Sequence, residues 1–255
     1  MCALLLVNAN IVLAEAPKPT TNQIEVVLSA DEWCPYNCSP DSPTPGYMLE
    51  IANQAFELHA PGKYRVVYKQ LPWTRSMKMA QRGDIDGIIG AIASEAEGLH
   101  VPSEEQGLMF AKFFALKQTD WSYTNTQQLK KDAVIIGAIA GYDYEASIAQ
   151  YIVENPKTVH LAHGDPALPS LIKLLNLKRI HALIEDQAVF WYNIKSLGHD
   201  SNLYKVAGDI EEPQKLFLAF HKKEYADIVA KGMHKLRKSG ALKKILSKYN
   251  LADWK

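Results

Sequence analysis

The sequence is short of several things, and each shortage excludes a class of protein. Three cysteines in 255 residues are too few for a disulfide-built scaffold or a four-thiolate zinc cluster. Net charge is missing, since 28 Lys and Arg balance 28 Asp and Glu. Without basic blocks the chain has no electrostatic footprint for nucleic acid. No apolar run reaches the roughly 18 residues of a membrane-spanning helix. There is no low-complexity segment and no residue-level repeat. G-x-S-x-G, G-x-G-x-x-G, a phosphate loop and H-E-x-x-H are all absent, so no hydrolase, dinucleotide, nucleotide or zinc-peptidase signature stands out. No catalytic residue, cofactor or metal is therefore expected. His160 and His163, with Asp165 nearby, read as a loop with satisfied imidazoles. Asp84 and Asp86 after Gly83 read as turn chemistry feeding an apolar strand.

What is present is a globular balance, 47% hydrophobic and 22% charged, in a length that fits one full core or two small ones. The N-terminus stands apart. Ala3 to Ala14 is an apolar run broken by Asn8 and Asn10, and it ends in Ala14-Glu15-Ala16 before Pro17. Small residues at −3 and −1 fit a secretory cleavage site, although the basic n-region is missing. Residues 1–16 are read as a removable signal peptide; a short buried strand is the alternative. Cleavage removes Glu15, so the charge becomes 28 − 27 = +1. Export also bears on Cys34 and Cys38. In an oxidising compartment a nearby pair closes a disulfide, and Pro35-Tyr36-Asn37 between them is turn-forming. Two reduced core thiols are the alternative.

The rest reads as alternating strands and helices. Strands are expected at Ile24–Ala30, Tyr64–Gln70, Gly87–Ala93 and Leu108–Lys117. A helix opens at Gly46, and another covers Thr74–Arg82, stopped by Gly83. The pattern restarts with strands at Val134–Ile139, Thr158–Ala162 and Ile180–Ile184. Helices at Asp143–Glu154, Asp165–Asn176 and Asp186–Leu197 separate them. Leu216–His221 is one more strand, and two lysine-rich amphipathic helices close the chain. This is an α/β chain in two halves, each with short parallel strands.

Ligands of open α/β sheets bind beyond the carboxyl ends of the strands. Here those ends carry Trp33 and Tyr36, then Trp73 and Arg75, then Gly141-Tyr142-Asp143, then Glu185 and Asp186. Four such segments in two halves point to a cleft between lobes.

Two stretches then resemble a known family. Arg82-Gly83-Asp84-Ile85-Asp86-Gly87-Ile88-Ile89 and Arg179-Ile180-His181-Ala182-Leu183-Ile184-Glu185-Asp186 are similar to strand motifs of the bacterial amino-acid-binding solute-binding proteins. Leu216–Lys222 resembles the strand that returns the chain to the first lobe. The resemblance covers Ile24 to the C-terminus. It implies a type II periplasmic-binding-protein fold with two crossings. Lobe 1 would be 23–113 and 214–255, lobe 2 would be 119–206, and the hinges 113–119 and 206–214. It implies a periplasmic monomer, not an enzyme, that captures a small polar solute for a membrane permease or receptor. A dehydratase-like enzyme and a stand-alone sensory module are the alternatives. It places Trp33, Tyr36 and Trp73 against the ligand, Asp186 on an α-ammonium, and Gly141–Asp143 at a helix N-terminus that receives a carboxylate. One departure matters. The family's Thr-x-x-Arg, whose Arg grips the α-carboxylate, is replaced by Glu95 and Gly98, and His181 replaces an Asp. Either Arg75 supplies the missing cation, or the ligand is an amine held by Glu95, Glu185 and Asp186.

Overall fold

The computed structural model describes residues 23–164, 166–210 and 212–255. The expected leader at 1–16, Cys2 and Asp165 lie outside them. The first half runs β1 (Ile24–Ala30), α1 (Tyr47–His59), β2 (Tyr64–Gln70), α2 (Trp73–Arg82), β3 (Gly87–Ala91) and β4 (Gly107–Met109). The second runs β5 (Ala111–Leu116), α3 (Thr126–Asp132), β6 (Ile136–Ile139), α4 (Ala146–Glu154), β7 (Val159–Ala162), α5 (Ala167–Asn176), β8 (Ala182–Asp186), α6 (Gln187–Ser196) and β9 (Tyr204–Asp209). β10 (Gln214–Phe220), α7 (Lys223–Lys238) and α8 (Ala241–Ser247) then return to the first half.

Two five-stranded sheets form, in the orders β2-β1-β3-β10-β4 and β7-β6-β8-β5-β9. The orders correspond. Each begins with three parallel strands, because each strand pair there is joined by a helical crossover. Each ends with two antiparallel pairings. The sheets are thus mixed rather than mostly parallel, since the last two strands arrive from the other half or leave for it.

Local sequence explains the helices. α1 buries Met48, Leu49, Ile51, Ala52, Ala55 and Phe56, the spacing of one apolar stripe. α2 stops at Gly83, whose φ of 77° is a left-handed cap that costs glycine little. Asp86 accepts the backbone N–H of Val27 at 2.8 Å, so this turn carboxylate ties the entry of β3 to β1. The largest buried cluster contains residues of both halves, among them Leu28, Phe56, Phe114, Leu171 and Phe190.

The expected strand over Leu108–Lys117 is two strands. β4 pairs with β10 in the first sheet, and β5 pairs with β8 and β9 in the second. Phe110 sits between them, 40% exposed. The first crossing is therefore at Phe110, ahead of 113–119, and Phe113–Leu116 is buried in the second sheet. Apolar residues run continuously through the crossing, so periodicity could not locate the change of partner. The second crossing lies between the ends of β9 and β10. β9 itself, a mixed sequence buried only at Tyr204 and Ala207, has no strand signal strong enough to be read.

Candidate functional site

The carboxyl ends of β1, β2, β3, β6 and β8 meet where the two sheets face each other. Two adjoining cavities lie there, of about 60 and 100 Å³. A single water needs roughly 10–15 Å³ by this measure, so each has room for several waters or part of a compact solute. Asp31, Trp33 and Tyr142 line both cavities. Trp73, Glu95, Asp143 and Asn37 complete the first, over a floor of Ile89, Gly90 and Ile92. Glu185, Asn193 and the start of α5 complete the second.

At these cavities, among the described residues, two hydrogen bonds join the halves. Trp33 Nε1 donates to Glu185 Oε1 at 2.9 Å, and the Tyr142 hydroxyl donates to Asp31 Oδ2 at 2.7 Å. Each pairs an aromatic donor from one half with a carboxylate from the other. Trp33 is held in place by a clipped loop. Cys34 and Cys38 are disulfide-bonded, with Cα atoms 4.4 Å apart. Trp33 N donates to Asn37 O at 2.9 Å, and Asn37 N donates back to Trp33 O at 3.3 Å. Tyr36 stacks behind the indole with ring centroids 4.3 Å apart. Its hydroxyl donates to Leu108 O at 2.7 Å, so Tyr36 supports the wall from behind rather than facing the cavity.

The acids differ sharply in what they do. Asp186 caps α6, accepting from Ala188 N at 2.8 Å and Val189 N at 3.0 Å. Its other oxygen accepts from Phe110 N at 2.8 Å. Its carboxylate is committed to these backbone donors, with the Tyr36 hydroxyl beside it, and is absent from the walls of both cavities. Glu185, one residue earlier, turns to the other side of the sheet, as alternation along a strand requires. It is 5% exposed. Its Oε1 accepts from Trp33 and from Asp186 N, but its Oε2 is buried with no partner. Burial pushes the Glu185 carboxyl up to about 8, helped by nearby Asp186 and Asp31. Burial also raises Asp186, to about 6, against its backbone donors. Glu95 accepts from Trp73 Nε1 at 3.2 Å and Ile92 N at 3.3 Å. Burial, with Asp143 and Asp31 beside it, raises its pKa as well.

Other sequence-predicted residues fall elsewhere. Arg75 is exposed on α2 and lines neither cavity. Gly141 has a φ of 86°, and a Cβ there would stand 3.0 Å from Thr74 Oγ1, so the left-handed turn and the close approach to α2 both favour glycine. Gly141–Asp143 is not a helix N-terminus. α4 begins at Ala146, because Glu145 caps it by accepting from Ser147 N and Ile148 N. That helix end satisfies its donors with its own side chain. Asp31 and Asn37 are wall residues that sequence reading missed. Their signal was position: Asp31 directly follows β1, and Asn37 belongs to the loop already singled out for its aromatics.

A third and larger cavity, about 730 Å³, lies on the far side of the waist. It is an open groove between α6 and the chain's last residues, lined by Tyr36, Phe110, Trp191, Tyr249 and Trp254. It collects helix sides rather than the carboxyl ends of the parallel strands, and is the weaker candidate on that ground.

No protein-family model and no curated protein matches the chain. Solved structures do. A histidine kinase sensor domain with similarity to periplasmic binding proteins aligns with a TM-score of 0.71 at 15% identity, over 90% of this chain and 97% of that one. An ABC uptake transporter substrate-binding protein from Streptococcus pneumoniae with bound histidine aligns at 0.69 and 18% identity, over 88% and 92%. A structure from work on glutathione import through GshT and the cystine importer TcyBC of Streptococcus mutans aligns at 0.73 and 18%, over 91% and 98%. The fold of this chain is thus the two-lobe periplasmic-binding-protein fold. No helix among the described residues is long and apolar enough to cross a membrane.

Proposed function

We propose that this chain is an exported solute-binding protein that captures a small polar solute, an amino acid or a related amine, between its two lobes. The lobes would be 23–109 with 214–255, and 111–209. One observation carries the reading. The small cavities are walled by both halves at the strand carboxyl ends, and aromatic-to-carboxylate hydrogen bonds from Trp33 and Tyr142 bridge them. Such a site is complete only when the lobes are together, so a ligand that touches both walls favours the closed form. The two crossings are the natural hinge. A membrane permease or a sensory receptor would read the closed form, in the periplasm, from a monomer that performs no chemistry on its ligand. The solved neighbours favour this reading because they are described as substrate-binding proteins and a sensor domain.

The test is a thermal-shift panel of amino acids, amines and short peptides with small-angle scattering on any hit. A true ligand at about 100 times its dissociation constant adds about 2.7 kcal/mol of stability. It should also leave the radius of gyration at the closed value and shift a more open population toward it. Absence of a shift with every solute sinks the proposal.

A further inference from the structure

We infer that the cleft takes an organic amine bound as its cation, and that it selects against the α-carboxylate of an ordinary amino acid. This rests on the proposed solute-binding role and names the class of solute. Three independent features of the walls carry it.

The first is charge. The two cavities are lined by Asp31, Glu32, Glu95, Asp143 and Glu185, and among the described residues no Lys, Arg or His lines either. The second is the unmet hydrogen-bonding capacity. Among the described residues two buried side-chain atoms have no partner, Glu185 Oε2 and Asn37 Oδ1. Both belong to wall residues; Asn37 Oδ1 is an acceptor, and Glu185 Oε2 is one when the carboxyl is ionised. The amide orientation of Asn37 is fixed, because its nitrogen donates to Asp31 O and lies 3.1 Å from the Tyr68 hydroxyl. Two buried acceptors call for a ligand that donates. An ammonium offers only donors and meets both atoms once Glu185 is ionised, whereas a carboxylate offers only acceptors, leaves Asn37 Oδ1 unmet and finds a donor at Glu185 only while that acid keeps its proton. The third is the aromatic lining. Trp33, Trp73 and Tyr142 present ring surface beside the acids, the combination that holds a cation by charge and by the ring quadrupole together.

Each residue that could have gripped a carboxylate is engaged or elsewhere. Arg75 is exposed outside the walls. The α4 N-terminus is capped by Glu145. Gly98 is exposed, and a Cβ placed there would meet nothing within 4 Å. Lys112 sits opposite Glu185 in the β5–β8 pairing, but its ammonium binds Asp209.

Amine binding should also move a proton. The groups facing Glu185 are Trp33 from the β1 loop, Asp31 at the end of β1, Asp186 on its own strand, Tyr142 and Tyr144 from the β6 loop, Tyr36 behind Trp33, and Lys112 across the sheet. With no cation present, burial keeps much of Glu185 protonated at neutral pH. An ammonium placed against it favours the carboxylate and releases that proton. Affinity should therefore rise with pH up to about 8.

The decisive experiment uses matched pairs that differ only by the carboxylate: agmatine against arginine, cadaverine against lysine, putrescine against ornithine. Titration calorimetry of the full mature chain in two buffers of different ionisation enthalpy reads affinity and proton release together. The expected result is that at least one amine binds about 10-fold or more tighter than its parent amino acid. Proton release should accompany it. Glu185→Gln keeps the acceptor for Trp33 and should weaken that amine about 10- to 100-fold and abolish the release, with its circular dichroism unchanged. If the parent amino acids, or glutamate, bind more tightly than the amines, the class is wrong while solute capture stands. If nothing in the panel binds, both readings fall.

Discussion

The two sides of the waist between the lobes make an instructive contrast. On one side lie small cavities with five acids, three aromatic rings and no described cation. On the other lies a groove of about 730 Å³ whose wall carries Lys195 and Lys248 and, among the described residues, no Asp or Glu. Size alone would choose the groove. Chemistry and position choose the small side, where strand ends converge and buried acceptors lack partners. The neighbours Glu185 and Asp186 divide these two sides between them. Glu185 belongs to the cleft. Asp186 binds backbone at Phe110 and the first turn of α6, and Phe110, Gln187 and Ala188 line the groove. One leaves an oxygen unpartnered at the cleft wall, and the other spends its oxygens on holding the chain together.

That division is broken most severely at Asp186. Asp186→Ala strips acceptors from three backbone N–H groups in a buried setting. Each orphaned donor costs about 1–3 kcal/mol, so a loss of about 3–5 kcal/mol is expected in urea unfolding at pH 7. A loss under about 1 kcal/mol would mean that Asp186 is not a structural cap. Glu185→Gln should act with the opposite sign. A carboxyl whose folded pKa, about 8, lies above its ordinary 4.5 binds more protons folded than unfolded between those values. Stability of the unliganded protein then falls as pH rises from about 4.5 to about 8. It is fully present below that window and lowest above it. Glu185→Gln removes this slope and should be more stable than the parent at pH 8, by something on the order of a few kcal/mol. The two should converge near pH 4. Parallel melting curves across the whole range would contradict the assigned burial.

Smaller again is the effect of the clip that holds Trp33. Replacing Cys34 and Cys38 by serine opens a very short loop, for which loop entropy predicts about 2 kcal/mol of lost stability. Amine affinity should fall further than that loss alone explains, because the loop also sets Trp33, Tyr36 and Asn37. Unchanged affinity in the double variant would show that the cleft wall is shaped without the disulfide.

How much of this was legible beforehand depends on the kind of signal. Most of the strand and helix order was legible, because short apolar runs and a clean glycine stop at Gly83 are local properties; the short polar α3 and β9 were not. Trp33, Trp73, Glu95, Tyr142, Asp143 and Glu185 were legible as wall residues of the small cavities because they lie at or a few residues beyond strand carboxyl ends, or open the next element. The division between Glu185 and Asp186 was not. Adjacent acids at a strand end look alike until the sheet decides which one faces inward. The break at Phe110 was hidden in the same way, since both sides of it are apolar and only the change of pairing partner marks the crossing. Arg75 misled because the resemblance called for a cation, and sequence distance put one within a helical turn of Trp73. The helix surface turns it outward. Asp31 and Asn37 required tertiary contacts, with Tyr142 and Tyr68 respectively.

The gentlest test addresses the contrast itself. Lys195 lies on α6 in the wall of the large groove, exposed. If the amine occupies the cleft, Lys195→Ala is a remote surface change. It should leave affinity within about twofold and stability within about 0.5 kcal/mol, at both low and high salt. If the amine instead sits in the groove, Lys195 is a like charge beside it. Removing it would then strengthen binding, most of all at low ionic strength where surface charges are least screened. The sign and salt dependence of that one small change therefore report which side of the waist holds the ligand, without touching any residue of either lobe's core.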